Sequence, residues 1–136
     1  MVIDYRAANA QVEQVPAPTP NLEHIAQQFV GVKAFCTLDL LQGYWQCPLA
    51  EDAQELFKIV TDRGLFTPTR VPQGVVNTTA YFQEMMGTVL EGLVGHCCLV
   101  YVDDGVLWAE DEGELLRRLD LVLERLMAVG LFAAAY

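Results

Sequence analysis

Four residues, Tyr101-Val102-Asp103-Asp104, restrict this chain more than any others. The apolar run over 97–102 reads as a strand. A second apolar segment, 105–109, follows at once. Two adjacent carboxylates at the tip of an otherwise apolar hairpin repel each other and draw a cation, because ionised groups withdrawn from water need a partner. The same residues fit an ordinary turn, since Asp104-Gly105 between apolar runs is a strong hairpin signal. On these residues alone the two readings stand level, and the rest of the chain has to separate them.

A chain of 136 residues with 53% hydrophobic residues has the length of one domain and ample material for a core, which excludes a disordered segment. No uncharged apolar stretch is long enough to span a membrane, and no basic-then-apolar leader opens the sequence. The four cysteines, Cys36, Cys47, Cys97 and Cys98, form no Cys-x-x-Cys pair and sit largely in apolar segments. They read as reduced thiols, not as a disulfide framework or a zinc site, and place the chain inside the cell. The formal net charge of −10 argues against a free-standing nucleic-acid binder. The acids are grouped, however: Glu51, Asp52 and Glu55 in one set and Glu110, Asp111, Glu112 and Glu114 in another, both placed like solvated helix starts. Strand-like Val2-Ile3 at one end and an apolar segment over 131–136 with nothing to pair it suggest a piece of something longer.

In chain order, Pro16, Pro18 and Pro20 make residues 10–20 an extended connector. Asn21 then caps a helix whose face is Leu22, Ile25, Ala26 and Phe29, stopped by Gly31. Residues 35–40 form a strand with Cys36, Leu38 and Leu40 on one side and Phe35, Thr37 and Asp39 on the other. A turn over 41–46 holds Tyr44 and Trp45. Residues 62–64 close a hairpin between 56–61 and 65–70. A loop at 71–74 leads to a helix over about 77–93, with Phe82, Met85, Met86, Val89, Leu90 and Leu93 on one face. The last helix opens on Asp111 with Glu114 as a capping box, buries Leu115, Leu116, Leu119, Val122, Leu123 and Leu126, and stops at Gly130. The order predicts an α+β fold with helices on one side of a mainly antiparallel sheet. In such a sheet the Asp39 strand can lie beside the Asp103 hairpin, so three carboxylates can meet at one edge.

Clustered aspartates suit few chemistries. Mg²⁺ takes one or two carboxylates plus substrate phosphates, and two such ions clamp the attacking and leaving oxygens of phosphoryl transfer. Glycosidases set their acids across a sugar cleft, which adjacent residues on a tight turn do poorly. Metal-assisted phosphoryl chemistry is the better physical match, beside a structural turn with an unrelated Asp39.

Five motifs, in one order, carry a family resemblance: Val2-Ile3-Asp4-Tyr5-Arg6 with Asn9; Leu38-Asp39-Leu40 with Gly43-Tyr44; Pro72-Gln73-Gly74; Asn77 with Phe82-Gln83; and Tyr101-Val102-Asp103-Asp104. Together they resemble the reverse transcriptases of LTR retrotransposons, gypsy-type above all, and of retroviruses, over nearly the whole chain. The resemblance implies a polymerase palm (a ferredoxin-like antiparallel sheet with helices on one side) over about 35–49 and 73–136, and partial fingers over about 1–34 and 50–72. It implies that Asp39, Asp103 and Asp104 are catalytic and, with the Leu40 carbonyl, hold two Mg²⁺ ions, Mn²⁺ being a possible substitute. It implies that Tyr44 packs under the incoming sugar and excludes a 2′-hydroxyl, that Gln73 and Gly74 contact the incoming nucleotide and template, and that Tyr101 and Val102 line the primer terminus. Arg6, or Asp4 nearby, would contact the template from a fingers strand.

The implied partners are an RNA or DNA template with primer, dNTPs, and the remainder of a polyprotein: the rest of the palm, thumb, RNase H and integrase. No membrane partner is implied. The implied location is intracellular, in a cytoplasmic virus-like particle or the nucleus. The implied reaction is addition of dNTPs to a primer 3′-end, with the isolated chain inactive, because the residues gripping the triphosphate lie outside it. The chain departs from the family in one place: the usual Asn-x-Pro is Asn77-Thr78-Thr79 here, so the helix-start proline is absent, a small change for a helix. The alternatives are a decayed or captured palm acting as a folded interaction module, and a different two-metal nucleotidyl transferase on a similar sheet.

Overall fold

The computed structural model of the chain describes residues 3–17, 27 and 29–134. Its elements in chain order are α1 (Arg6–Asn9), β1 (Ala34–Asp39), α2 (Gly43–Gln46), α3 (Glu51–Gln54), β2 (Ile59–Thr61), β3 (Gly64–Phe66), α4 (Thr78–Val89), β4 (Cys98–Tyr101), β5 (Asp104–Ala109) and α5 (Glu112–Ala128). The helix expected over 21–31 lies largely outside the described residues; its stop, Gly31, takes a φ of 85°. The expected strand at Val2-Ile3 does not form at Ile3, and Val2 is outside the described residues.

The main sheet has the order β1-β5-β4, antiparallel throughout. The alternation in β1 sorts as the sequence predicts. Cys36 and Leu38 pack toward the core and Leu40 just beyond is buried, while Phe35 and Thr37 are exposed. Val100, Cys98 and Leu107 supply the same face from the neighbouring strands, and Phe82, Met86 and Leu90 of the α4 segment and Val122 and Leu126 of α5 close over it. Fully burying each of these side chains contributes roughly 1.5–3 kcal/mol. The α+β layering with both long helices on one face is therefore the arrangement that the periodicities require. The ribbon β2–β3 pairs separately, with Val60, Leu65 and Phe66 exposed.

Four local expectations are corrected. First, α4 ends at Val89, not near 93. The apolar spacing runs on because Leu93 and Val94 still pack on the core from a turn, and periodicity records burial, not helical hydrogen bonding. Second, the capping box is half formed. The Asp111 carboxylate accepts from the Glu114 N–H at 2.9 Å, but the Glu114 carboxylate turns to Arg118 at 2.9 Å and Arg117 at 2.7 Å. Third, Leu116 is exposed, because the buried stripe of α5 centres on Val122 and Leu126 with Leu115 and Leu119 beside them.

Fourth, the segment after α5 is paired. Gly130 (φ 77°) reverses the chain, with Leu131 N–H donating to Leu126 O at 2.9 Å as in a Schellman closure. Ala133 then bridges Leu40. Ala134 N–H donates to Asp39 O at 2.7 Å and Leu41 N–H to Phe132 O at 3.2 Å. The Gln46 amide completes the seam: it donates to Leu41 O (2.6 Å) and Phe132 O (2.9 Å) and accepts from Phe132 N–H (2.6 Å). A strand-like extension thus lies along the free side of the end of β1.

Candidate functional site: a carboxylate edge beside an aromatic pocket

The β4–β5 hairpin turns at Val102-Asp103, not at Asp104-Gly105. Asp104 pairs across to Tyr101 and Gly105 to Val100, so both are already strand residues. Val102 takes a φ of 60°, which a β-branched residue adopts only at a cost. The Gln83 side chain holds this strained tip. Its Nε2 donates to Val100 O at 2.9 Å and its Oε1 accepts from Val102 N–H at 2.8 Å, satisfying one backbone group of β4 and one within the turn. Gln83 was legible only as a motif letter; nothing in its spacing announces a clamp.

The register of β1 against β5 sets Asp39 directly opposite Asp104. Opposed residues of antiparallel strands share a face. That face is the open one, carrying exposed Phe35, Thr37 and Tyr101. Like charges directly opposite destabilise a sheet, and Asp103 adds a third carboxylate in the adjoining turn. Leu40, next to Asp39, donates its N–H to Asp103 O at 3.0 Å and so ties β1 to the hairpin tip. Among the described residues, no three His, Cys, Asp or Glu side chains close into a cage for a metal ion. Asp39, Asp103 and Asp104 thus share one sheet edge without converging into such a group.

Gln42, in the left-handed region at φ 52°, starts α2 immediately after β1. Gly43 then passes so close to the hairpin that a Cβ there would lie 3.3 Å from the Asp103 Cβ and 3.0 Å from the Phe82 ring. Tyr44 packs edge-on to Phe82, with ring centroids 5.1 Å apart, and its hydroxyl lies 3.3 Å from Thr79 Oγ1. A cleft of about 430 Å³ opens beside this segment, lined by Gln42, Trp45, Tyr5, Arg70 and Pro72 among others. Burial pushes the Tyr5 phenol up from its ordinary range, and its hydroxyl makes no hydrogen bond among the described residues. Arg70 donates to Gln46 O at 2.9 Å.

The 73–76 loop is held from the other side. Asn9 Nδ2 donates to Gly74 O at 2.8 Å, and Asn9 Oδ1 accepts from Val76 N–H at 3.1 Å. Asn77 reciprocates on the incoming connector, accepting from Val15 N–H (3.0 Å) and donating to Glu13 O (2.9 Å). Gln73 and Gly74 stay exposed, with Gly74 at φ 90°. Asp4 and Arg6 are fully at the surface and bound to each other by a forked ion pair, with Nε at 2.9 Å and Nη2 at 2.6 Å from the carboxylate oxygens. That pairing holds the Asp4 carboxyl below its ordinary value. Arg6 opens the short helix α1; it is not in the strand expected for it.

The edge and pocket sit on a fold with known relatives. The family model described as reverse transcriptase (RNA-dependent DNA polymerase) matches residues 1–135. The chain belongs to the reverse transcriptase family. It is 35% identical over 127 residues to the retrovirus-related Pol polyprotein from transposon gypsy of Drosophila melanogaster, covering 93% of the chain but only 12% of that polyprotein. It is 32% identical over 108 residues to an RNA-directed DNA polymerase homolog of Oenothera berteroana, covering 79% of the chain and 76% of that protein. The foamy viral protease-reverse transcriptase solved with an RNA/DNA hybrid superposes with a TM-score of 0.84 at 31% identity, over 98% of the chain and 18% of the viral protein. The foamy viral protease-reverse transcriptase dRH, solved with double-stranded DNA, gives 0.81 at 28% identity, over 98% of the chain and 23% of that protein. This reverse transcriptase chain thus spans about an eighth of the gypsy polyprotein's length. The mixed sheet-and-helix fold is that of the reverse transcriptase polymerase domain.

Proposed function

We propose that the chain is the palm, with part of the fingers, of a retroelement reverse transcriptase that adds dNTPs to a primer 3′-end on an RNA or DNA template. The observation that carries this reading is the Asp39–Asp104 opposition with Asp103 in the adjoining turn. Asp39, Asp103 and Asp104, with the Leu40 carbonyl beside them, would hold two Mg²⁺ ions. The metals would stabilise charge on the attacking and leaving oxygens. Tyr44, fixed against Phe82, would lie under the incoming sugar and exclude a 2′-hydroxyl. Gln73 and Gly74 meet the nucleotide and template from the loop that Asn9 holds. Exposed Tyr101, with Val102 at the tip, supports the primer end. Asp4 and Arg6 reach the template only once their mutual ion pair is exchanged for it.

Residues 1–34 and 50–72 act as fingers, and 35–49 with 73–136 as palm. The net charge of −10 leaves the basic nucleic-acid groove to the rest of a polyprotein, with its thumb, RNase H and integrase. Four free cysteines suit a reducing intracellular compartment, in a virus-like particle or the nucleus.

Mn²⁺ titration followed by NMR tests the site. Paramagnetic broadening is expected to centre on Asp39, Asp103 and Asp104 and to weaken in Asp103→Asn; broadening elsewhere, or unchanged in the variant, sinks the assignment. Primer extension by the isolated chain is expected to be absent. Robust synthesis that disappears in Asp103→Asn would overturn the inactivity claim while keeping the site.

A further inference from the structure

Thr79 occupies the position where the family usually has proline, and its hydroxyl lies 3.3 Å from that of Tyr44. Phe82, one helical turn on, packs its ring edge against Tyr44 at 5.1 Å. Positions i and i+3 share a helix face, so one face of α4 grips both the body and the tip of the phenol. The grip is built in. Phe82 is fully buried, and neighbouring Thr78 donates its hydroxyl to Pro72 O at 3.4 Å, which fixes the first turn of α4 against the loop that carries Gln73. On the other side, the start of α2 is pressed against Asp103 through Gly43, so Tyr44 has little freedom to retreat along the chain.

We propose that Thr79 is a specificity-determining positioning residue: by anchoring the Tyr44 hydroxyl it stiffens the aromatic wall that discriminates between deoxyribose and ribose. This rests on the reading of Tyr44 given above. The physical argument concerns stiffness. A ring held only by stacking can tilt away from an added hydroxyl on the sugar; a ring also tied at its tip must break that bond to do so. Proline at 79 suits the first turn of a helix but offers no hydroxyl, so a chain with proline there leaves the phenol tip to other partners. The 3.3 Å separation is long for a hydroxyl pair, which makes the anchor a modest one. Its loss is expected to change discrimination by about two- to five-fold, the range of a net hydrogen bond at its weaker end.

The test is nucleotide binding to the whole chain with Mg²⁺, which requires no polymerase activity. NMR titrations with dCTP and with CTP give two dissociation constants for each variant. Wild type is expected to favour dCTP. Thr79→Val, which keeps shape and loses the hydroxyl, is expected to bind CTP about two- to five-fold more tightly with dCTP unchanged. Thr79→Ser is expected to restore the wild-type ratio. Tyr44→Phe is expected to lower the ratio as well, and adding Thr79→Val to it should change nothing further, since both remove the same bond. An unchanged ratio in Thr79→Val, or equal shifts of both nucleotides, overturns the role of Thr79 alone. A wild-type chain that binds dCTP and CTP measurably and equally tightly overturns the reading of Tyr44, and the anchor's function with it.

Discussion

Replacing Gln83 with alanine is the sharpest probe of how the carboxylate tip is held. The substitution removes a donor from Val100 O and an acceptor from Val102 N–H, bonded at 2.9 and 2.8 Å. Each such bond contributes about 0.5–1.5 kcal/mol net, and a backbone group left without a partner costs more when water cannot reach it. Val100 is buried and Val102 half-buried, so water replaces the amide incompletely. We expect a loss of about 2 kcal/mol, with α4 otherwise unharmed because alanine is a good helix former. For a chain of this length that lowers the melting temperature by roughly 6–8 °C. Urea unfolding by circular dichroism gives the free energy, and amide hydrogen exchange locates it. The Val102 amide should lose protection while the Leu107 amide, mid-strand in β5, keeps it. Val102→Gly supplies the control. It removes the strain of a φ of 60° but adds disorder to the unfolded chain, so it is expected to lie within about 0.5–1 kcal/mol of wild type. A Gln83→Ala variant as stable as wild type, with Val102 still protected, would refute the clamp.

Four further outcomes follow from the structure. Gly43→Ala places a methyl 3.0 Å from the Phe82 ring and 3.3 Å from the Asp103 Cβ; the overpacking, about 1–3 kcal/mol, should outweigh the helical gain of up to about 1 kcal/mol, and denaturant unfolding should show a net loss. Gln46→Ala should raise hydrogen exchange at Phe132 and Leu41 while the β4–β5 amides stay protected, because the Gln46 amide stitches only the outer seam. Half-exposed Cys36 should react first with a thiol reagent in the native protein, and Cys47, Cys97 and Cys98 only on unfolding. Burial pushes the Cys98 thiol from an ordinary 9.0 up to about 12, so its contribution to stability is complete below pH 9 and declines as pH rises from there toward 12; unfolding curves at pH 8 and pH 10.5 check that sign.

The sequence by itself determined the layering and which carboxylates could meet at one edge. Alternation in β1 and the three-four spacing of Phe82, Met86, Leu90, Val122 and Leu126 dictate which surfaces must meet, since burial of apolar area is non-directional and shows in periodicity. Five ordered motifs marked Asp39, Asp103 and Asp104 as belonging together. Register, turn geometry and side-chain clamps were decided only in three dimensions. Asp-Gly named the wrong turn, because the β5 pairing of Asp104 and Gly105 with Tyr101 and Val100 outweighed local turn preference and put the reversal at Val102 despite its branched side chain. The amides of Gln83, Gln46, Asn9 and Asn77 look like any polar residues in a string of letters. Each found its role only when the fold brought an open backbone group within reach, and such groups have no signature in sequence because they arise where segments distant along the chain come to lie side by side. The apolar end over 131–134 read as unpaired for the same reason: its partner, the edge of β1, lies some ninety residues earlier.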